Sequence, residues 1–217
     1  MTGKTFSIPI QSKEPLALLA IAVITLVISG IRPYDRLTWV MEVLPVLIAI
    51  PLLVATYTRF PLTSLVYRLI LLHALILMLG GHYTYARVPL GLWLQDLFHL
   101  TRNHYDRLGH LAQGFIPAII AREILIRTSP LKPGKWLFFL VVCVSLAISA
   151  GYEFVEWWSA LIYGAAATDF LGTQGDAWDT QWDMILAATG AVTAQLTLAR
   201  THDRALQRLL SEPEIDI

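Results

Sequence analysis

The strongest constraint in this chain is a succession of long apolar runs separated by short polar links. A membrane-crossing helix needs ~20 mostly apolar residues, and such runs occur at about 15–31, 37–57, 62–81, 107–127, 136–160 and 181–199. In a chain of 217 residues little length is left over. The sequence therefore predicts one multi-pass domain over 1–217, an all-α integral membrane bundle of six transmembrane helices. Composition agrees: 56% hydrophobic and 15% charged residues are too apolar a mixture for an ordinary water-soluble domain. Lys4 and Lys13 precede the first run, as in a secretory signal, but no small-residue cleavage site follows Ser29 and Gly30, so the run reads as a retained span.

Orientation follows from basic residues, because loops rich in Lys and Arg stay cytoplasmic. With the N-terminus inside, the inner face receives Lys4, Lys13, Arg59, Arg122, Arg127, Lys132, Lys135, Arg200, Arg204 and Arg208. The outer face receives only Arg32, Arg36, Arg87, Arg102 and Arg107, which predicts an N-in, C-in topology. Arg68 falls inside the third span, where it either snorkels to the surface or pairs within the bundle. Trp39, Trp136, Trp157, Trp158, Trp178 and Trp182 fall at span ends, and Trp93 in the outer segment before the fourth span, as expected for indoles at the headgroup level. The tail SEPEIDI is polar and reads as frayed.

The 16 Lys and Arg balance the 16 Asp and Glu, so no basic excess points to nucleic acid. The single cysteine, Cys143, lies in an apolar run and offers neither an intramolecular disulfide nor a thiolate metal site.

Acidic residues gather on the predicted outer half: Asp35, Glu42, Asp96, Asp106, Glu153, Glu156, Asp169, Asp176, Asp179 and Asp183. No Lys or Arg lies between Trp136 and Ala199 to neutralise those in that stretch. A carboxylate at membrane depth costs several kcal/mol unless it is paired, metal-bound or protonated, so each is a candidate functional residue. Asp96, His99, Asn103, Asp106, His110 and Gln113 recur at steps of three and four, which places them on one face if the segment is a continuous helix. The opposite face carries Trp93, Leu97, Leu100 and Leu108, so an amphipathic segment is expected before the fourth span. Ser149, Glu153 and Glu156 share a face of the fifth span, and Asp176, Asp179 and Asp183 recur at the start of the sixth.

Asp106, His110, Glu153 and Asp183 have the types and spacings of metal ligands, since neighbours three or four apart converge from a helix surface. Oxygen and imidazole donors without thiolate suit Zn, Mn or Fe. Glu156 or Asp179 then serves as general base, and Arg102 or Arg107 holds an anionic headgroup. Simpler readings compete: Asp106 and His110 form a structural hydrogen bond, and Asp176 and Asp179 cap the sixth span. His73 reads as a packed, hydrogen-bonded core residue; His82 and Tyr83 either join the cluster or face the interface. Gly80, Gly81, Gly151 and Gly190 read as sites of close helix packing.

Through RNHYDRLGHLAQGF, AREIL, SAGYEFVEWW and FLGTQGDAWDTQWDM, the chain resembles the YjdF-type family of bacterial inner-membrane proteins over about residues 60–200. That family's biochemical function is unknown, so the resemblance implies a multi-pass inner-membrane location and a choice of site rather than a reaction. Asp106/His110, Glu156, and Asp179/Asp183 are more loosely similar to the D-x-x-x-H, E and D-x-x-x-(N/D) pattern of VanZ-like membrane proteins, with Asp183 where those often carry Asn.

Three functions stay open on the sequence: a divalent-metal-dependent enzyme acting on lipid or envelope headgroups, a proton- or cation-coupled transporter, and a non-catalytic assembly protein with a structural polar network. The bilayer is the expected partner in each.

Overall fold

The computed structural model describes residues 13–211. Lys4 and the tail beyond Ser211, which the sequence reading discusses, lie outside the described residues. Apolar runs form helices because a helix satisfies its own backbone polar groups, the only arrangement besides a closed barrel that hydrocarbon permits. The long helices are α1 (Glu14–Ser29), α2 (Arg36–Thr56) and α3 (Ser64–Tyr83), then, after the short α4 (Pro89–Phe98), α5 (Tyr105–Thr128) and α6 (Lys135–Tyr163). A one-turn α7 (Thr168–Leu171) leads to α8 (Asp179–Ser211), and no strand occurs among the described residues.

Side-chain caps set several boundaries. Asp35 accepts from the Thr38 amide at 2.7 Å at the start of α2, and Thr63 accepts from the Val66 amide at the start of α3. Glycine in the left-handed region, Gly164 at φ +55°, ends α6.

By length and composition, Arg36–Thr56, Ser64–Tyr83 and the stretch Lys135–Leu171 are apolar enough to cross a membrane, and Glu14–Ser29 is a shorter apolar helix. The other long helices, α5 and α8, are more polar and pack extensively on each other. Their closeness comes from small residues: a Cβ on Gly114 would overlap the Ala187 carbonyl, and one on Gly190 would overlap that of Leu111.

Successive helices run in alternate directions. At one end, Tyr34 N–H donates to the His82 carbonyl at 2.8 Å and Trp39 Nε1 to Ser29 Oγ at 3.1 Å, joining α1, α2 and α3. At the other, Arg68 of α3 pairs with Glu14 of α1 and Thr63 meets Glu123 of α5. One core cluster joins Val66, Ile119, Leu137, Val141 and Ala194 across α3, α5, α6 and α8; another joins Val43, Val46, Ala74, Leu77 and Met78 of α2 and α3.

Several expectations need correction. The segment from Asp96 to Gln113 is not one helix: His99 adopts a left-handed conformation (φ 53°) that ends α4, and α5 begins only at Tyr105. Asp96 and His99 are consequently exposed and away from the buried face that carries Asp106 and His110. The predicted amphipathic element survives as α4 alone, with Leu90, Trp93, Leu97 and Phe98 exposed. The last helix, Asp179–Ser211, continues beyond the expected span of 181–199. Gly151 packs nothing, since a Cβ there would meet no atom within 4 Å. Nor is His73 hydrogen-bonded as expected, because its buried Nε2 has no partner.

Candidate polar site at one end of the helix bundle

The site is assembled by loop clamps. Asn103 Oδ1 accepts from the Tyr105 amide at 2.9 Å, capping α5, while its Nδ2 donates to the Ala86 and Val88 carbonyls, each at 3.2 Å. Gly91 makes room for this side chain, where a Cβ would collide with the Asn103 amide group. Gln174 then grips the Asn103 backbone from both sides, accepting from its N–H at 3.0 Å and donating to its carbonyl at 2.9 Å. The loop before α8 is thereby fixed to the loop before α5.

Arg102 sits within this clamp. Its Nη1 donates to Asp179 Oδ1 at 2.6 Å, and its Nη2 donates to the Gly172 carbonyl at 3.2 Å and lies 3.5 Å from Asp106 Oδ2. Arg107 pairs with Asp176 at 2.9 Å and lies over the Trp182 ring. His104, at the N-cap of α5, is held below the usual imidazole range, first by burial and then by the charges of Arg107 and Arg102.

Deeper in, Asp106 and His110 from one turn of α5 meet Glu153 and Glu156 of α6 and Asp183 of α8. Asp106, His110, Glu153, Glu156, Asp179 and Asp183 are all between 2 and 9% exposed. His110 Nε2 lies 3.4 Å from Asp106 Oδ1 and 3.8 Å from Asp183 Oδ1. Two sets, Asp106/His110/Asp183 and His110/Glu153/Glu156, each offer ligand atoms within 4.8 Å of one another. For metal–ligand bonds of ~2.0–2.2 Å in tetrahedral geometry, ligand atoms stand about 3.3–3.6 Å apart; the 3.4 Å between His110 and Asp106 lies in that range and the 3.8 Å to Asp183 just beyond it.

The hydrogen bonds of His110 sharpen this picture. Its Nδ1 lies 2.9 Å from Gln113 Oε1 and donates to it. In the neutral ring Nε2 is then a lone pair facing two carboxylates, which repels unless a proton or a cation lies between. Glu153 Oε1, Asp183 Oδ1 and Ser149 Oγ are buried without a hydrogen-bond partner. Such orphaned oxygens are rare in folded proteins and call for a missing counter-charge or donor.

The structure thus brings together every carboxylate and histidine chosen as ligand or base from the sequence. It engages Arg102 through Nη1 with Asp179 and through Nη2 with Gly172, while its buried Nε has no partner. His82 stays apart, bonded through Nδ1 to the Ser29 carbonyl at 2.8 Å. Glu42, one of the outer acidic residues singled out from the sequence, is only 2% exposed and accepts from the Tyr152 hydroxyl at 3.3 Å behind the cluster. One feature was missed. At the opposite end, Glu123 accepts from Thr63 Oγ1 at 2.7 Å, His202 Nε2 at 3.0 Å and Arg127 at 3.0 Å. Arg122 donates to His202 Nδ1 at 2.6 Å, completing a network in which both ring nitrogens are satisfied.

The family model described as a predicted membrane protein, DUF2238, matches residues 14–204, from the first long helix into the last. The chain belongs to this DUF2238 membrane-protein family. The inner membrane protein YjdF of Escherichia coli (strain K12) is 57% identical over 183 residues, covering 84% of this chain and 88% of that protein. No solved structure matches. This DUF2238 protein is accordingly a membrane protein, with a relative named for the inner membrane, where the sequence reading also puts it.

Proposed function

We propose that this protein crosses the inner membrane six times, N-in and C-in, and carries at its periplasmic face a divalent-cation site that hydrolyses a lipid or envelope headgroup. The alternating helices and the excess of Lys and Arg at the opposite end support the topology. One observation carries the function: Glu153, Glu156 and Asp183 surround His110 with no guanidinium among them, because Arg102 and Arg107 are engaged by Asp179 and Asp176.

Asp106, His110, Glu153 and Asp183 are the ligands, and Gln113 orients the imidazole through Nδ1. Bound there, a Zn, Mn or Fe ion would lower the pKa of water and polarise the scissile bond. Glu156 accepts the proton of the attacking water, since the hydrogen bond from Arg102 leaves Asp179 the weaker base. Arg102 positions Asp179 and the α8 start, while the partly exposed Arg107 meets an anionic headgroup. The test is headgroup release from phosphatidylethanolamine and phosphatidylglycerol vesicles by purified protein. Release that a chelator abolishes and Asp183→Asn impairs supports the proposal; none from folded, metal-replete protein rejects it for these headgroups.

A second reading, a structural polar network that fixes helix register, draws on the Arg102–Asp179 pair and the Asn103–Gln174 clamp. Under it, substitutions at Glu153 and Asp183 change stability alone.

A further inference from the structure

Between the two core clusters runs a cavity of about 1180 Å³, larger than the ~300–1,000 Å³ of ordinary small-molecule pockets. It separates α2 from α5 and α6, and its walls are apolar: Val46, Ile50 and Leu53 on one side, Pro117, Ile120 and Ile148 on the other. His110, Gln113, Tyr85 and Tyr152 close the end at the polar site. Along α5 the lining runs from Gly109 to Leu125, which at ~1.5 Å per residue is about 24 Å. The hydrocarbon core of a bilayer is ~30 Å thick, so the cavity extends through most of it.

Folded proteins tolerate few voids larger than a water molecule, and an apolar void does not hold water stably. Lining residues Leu16, Leu52, Val54 and Ile148 are exposed, so the cavity opens sideways. In a membrane, that opening faces hydrocarbon. One polar atom of the lining, the buried Nε2 of His73, has no partner. An ester or hydroxyl oxygen on the occupant would satisfy it, which favours an acyl lipid over a plain hydrocarbon chain.

We infer that the cavity holds the acyl chain of a membrane lipid whose polar head lies against His110 and Gln113. This deepens, and rests on, the reading of the cluster as a lipid-acting site. It makes the substrate an acyl lipid delivered from within the bilayer, rather than a water-soluble envelope component.

Photo-crosslinking tests it. The full chain is reconstituted in phosphatidylethanolamine and phosphatidylglycerol vesicles containing phosphatidylglycerol with a diazirine at the terminal carbon of one acyl chain. Labelled residues are mapped by mass spectrometry. Label on Leu53, Ile120 and Leu125 is expected, with its loss in Ala121→Trp and in Ala49→Trp, which fill the cavity. The label should persist in Ile48→Trp, which adds the same bulk on an exposed surface outside the lining. Label confined to exposed residues such as Ile48 and Leu196 in the wild type overturns the inference, whether or not the variants fold. Metal content measured on the same samples separates the two readings. Cavity label on metal-free protein keeps the lipid site and removes the metal; bound metal without cavity label does the reverse.

Discussion

Arg102, in the loop before α5, reaches Asp179, the first residue of α8, with Nη1 2.6 Å from Oδ1, and both side chains are less than a tenth exposed. This pair joins two elements far apart in sequence and holds the Asp106/His110 turn opposite Asp183.

Breaking a buried ion pair by removing one partner costs about 3–5 kcal/mol, because the other charge is left uncompensated. Arg102→Ala should therefore lower stability by that order in thermal unfolding in detergent. The double variant Arg102→Ala/Asp179→Asn should be destabilised by less than the sum of the two single changes. Additive losses would show that the pair is not coupled.

Helix packing gives a contrast between glycines. Gly190→Leu must push α8 away from the Leu111 carbonyl and should destabilise by about 1–3 kcal/mol or more. Gly151→Ala meets nothing and should be neutral or stabilising by up to ~1 kcal/mol, since alanine is the better helix former. Comparison of unfolding midpoints checks both.

The Glu123–His202 network has all its partners and lies at the end opposite the candidate site. Glu123→Ala removes the shared acceptor of Thr63, Arg127 and His202 Nε2 and should cost about 3–5 kcal/mol. Under conditions where the variant remains folded, its metal content should equal that of wild type. A loss of metal there would mean that the two ends are coupled.

Much of this was legible in the sequence and some was not, for physical reasons. The long helices follow from apolar runs, because hydrocarbon forces backbone self-satisfaction. The shared faces of Asp106 and His110, of Glu153 and Glu156, and of Asp179 and Asp183 follow from spacings of three and four within single helices, but the meeting of the three helices does not. Nor does the break at His99, because only a few per cent of non-glycine residues adopt the left-handed region and a single histidine does not mark which one will. Glu123 and His202 were missed because they are 79 residues apart and share no local motif. The engagement of Arg102 by Asp179 is likewise a long-range contact, invisible to helical periodicity.

Gln113 offers a subtler test. Groups that orient a metal-bound histidine typically contribute ~10–100-fold in metal affinity. Gln113→Ala should weaken binding of added Zn or Mn by that order while leaving the stoichiometry unchanged at saturation, as titration calorimetry would report. Unaltered affinity would remove Gln113 from the site.

The most direct measurement is elemental analysis of the detergent-purified wild type beside the Glu153→Ala/His110→Ala double variant, both monodisperse. The account predicts near-stoichiometric divalent metal in the wild type and its loss in the variant. A folded wild type that holds no metal even after replenishment with Zn, Mn and Fe would contradict it.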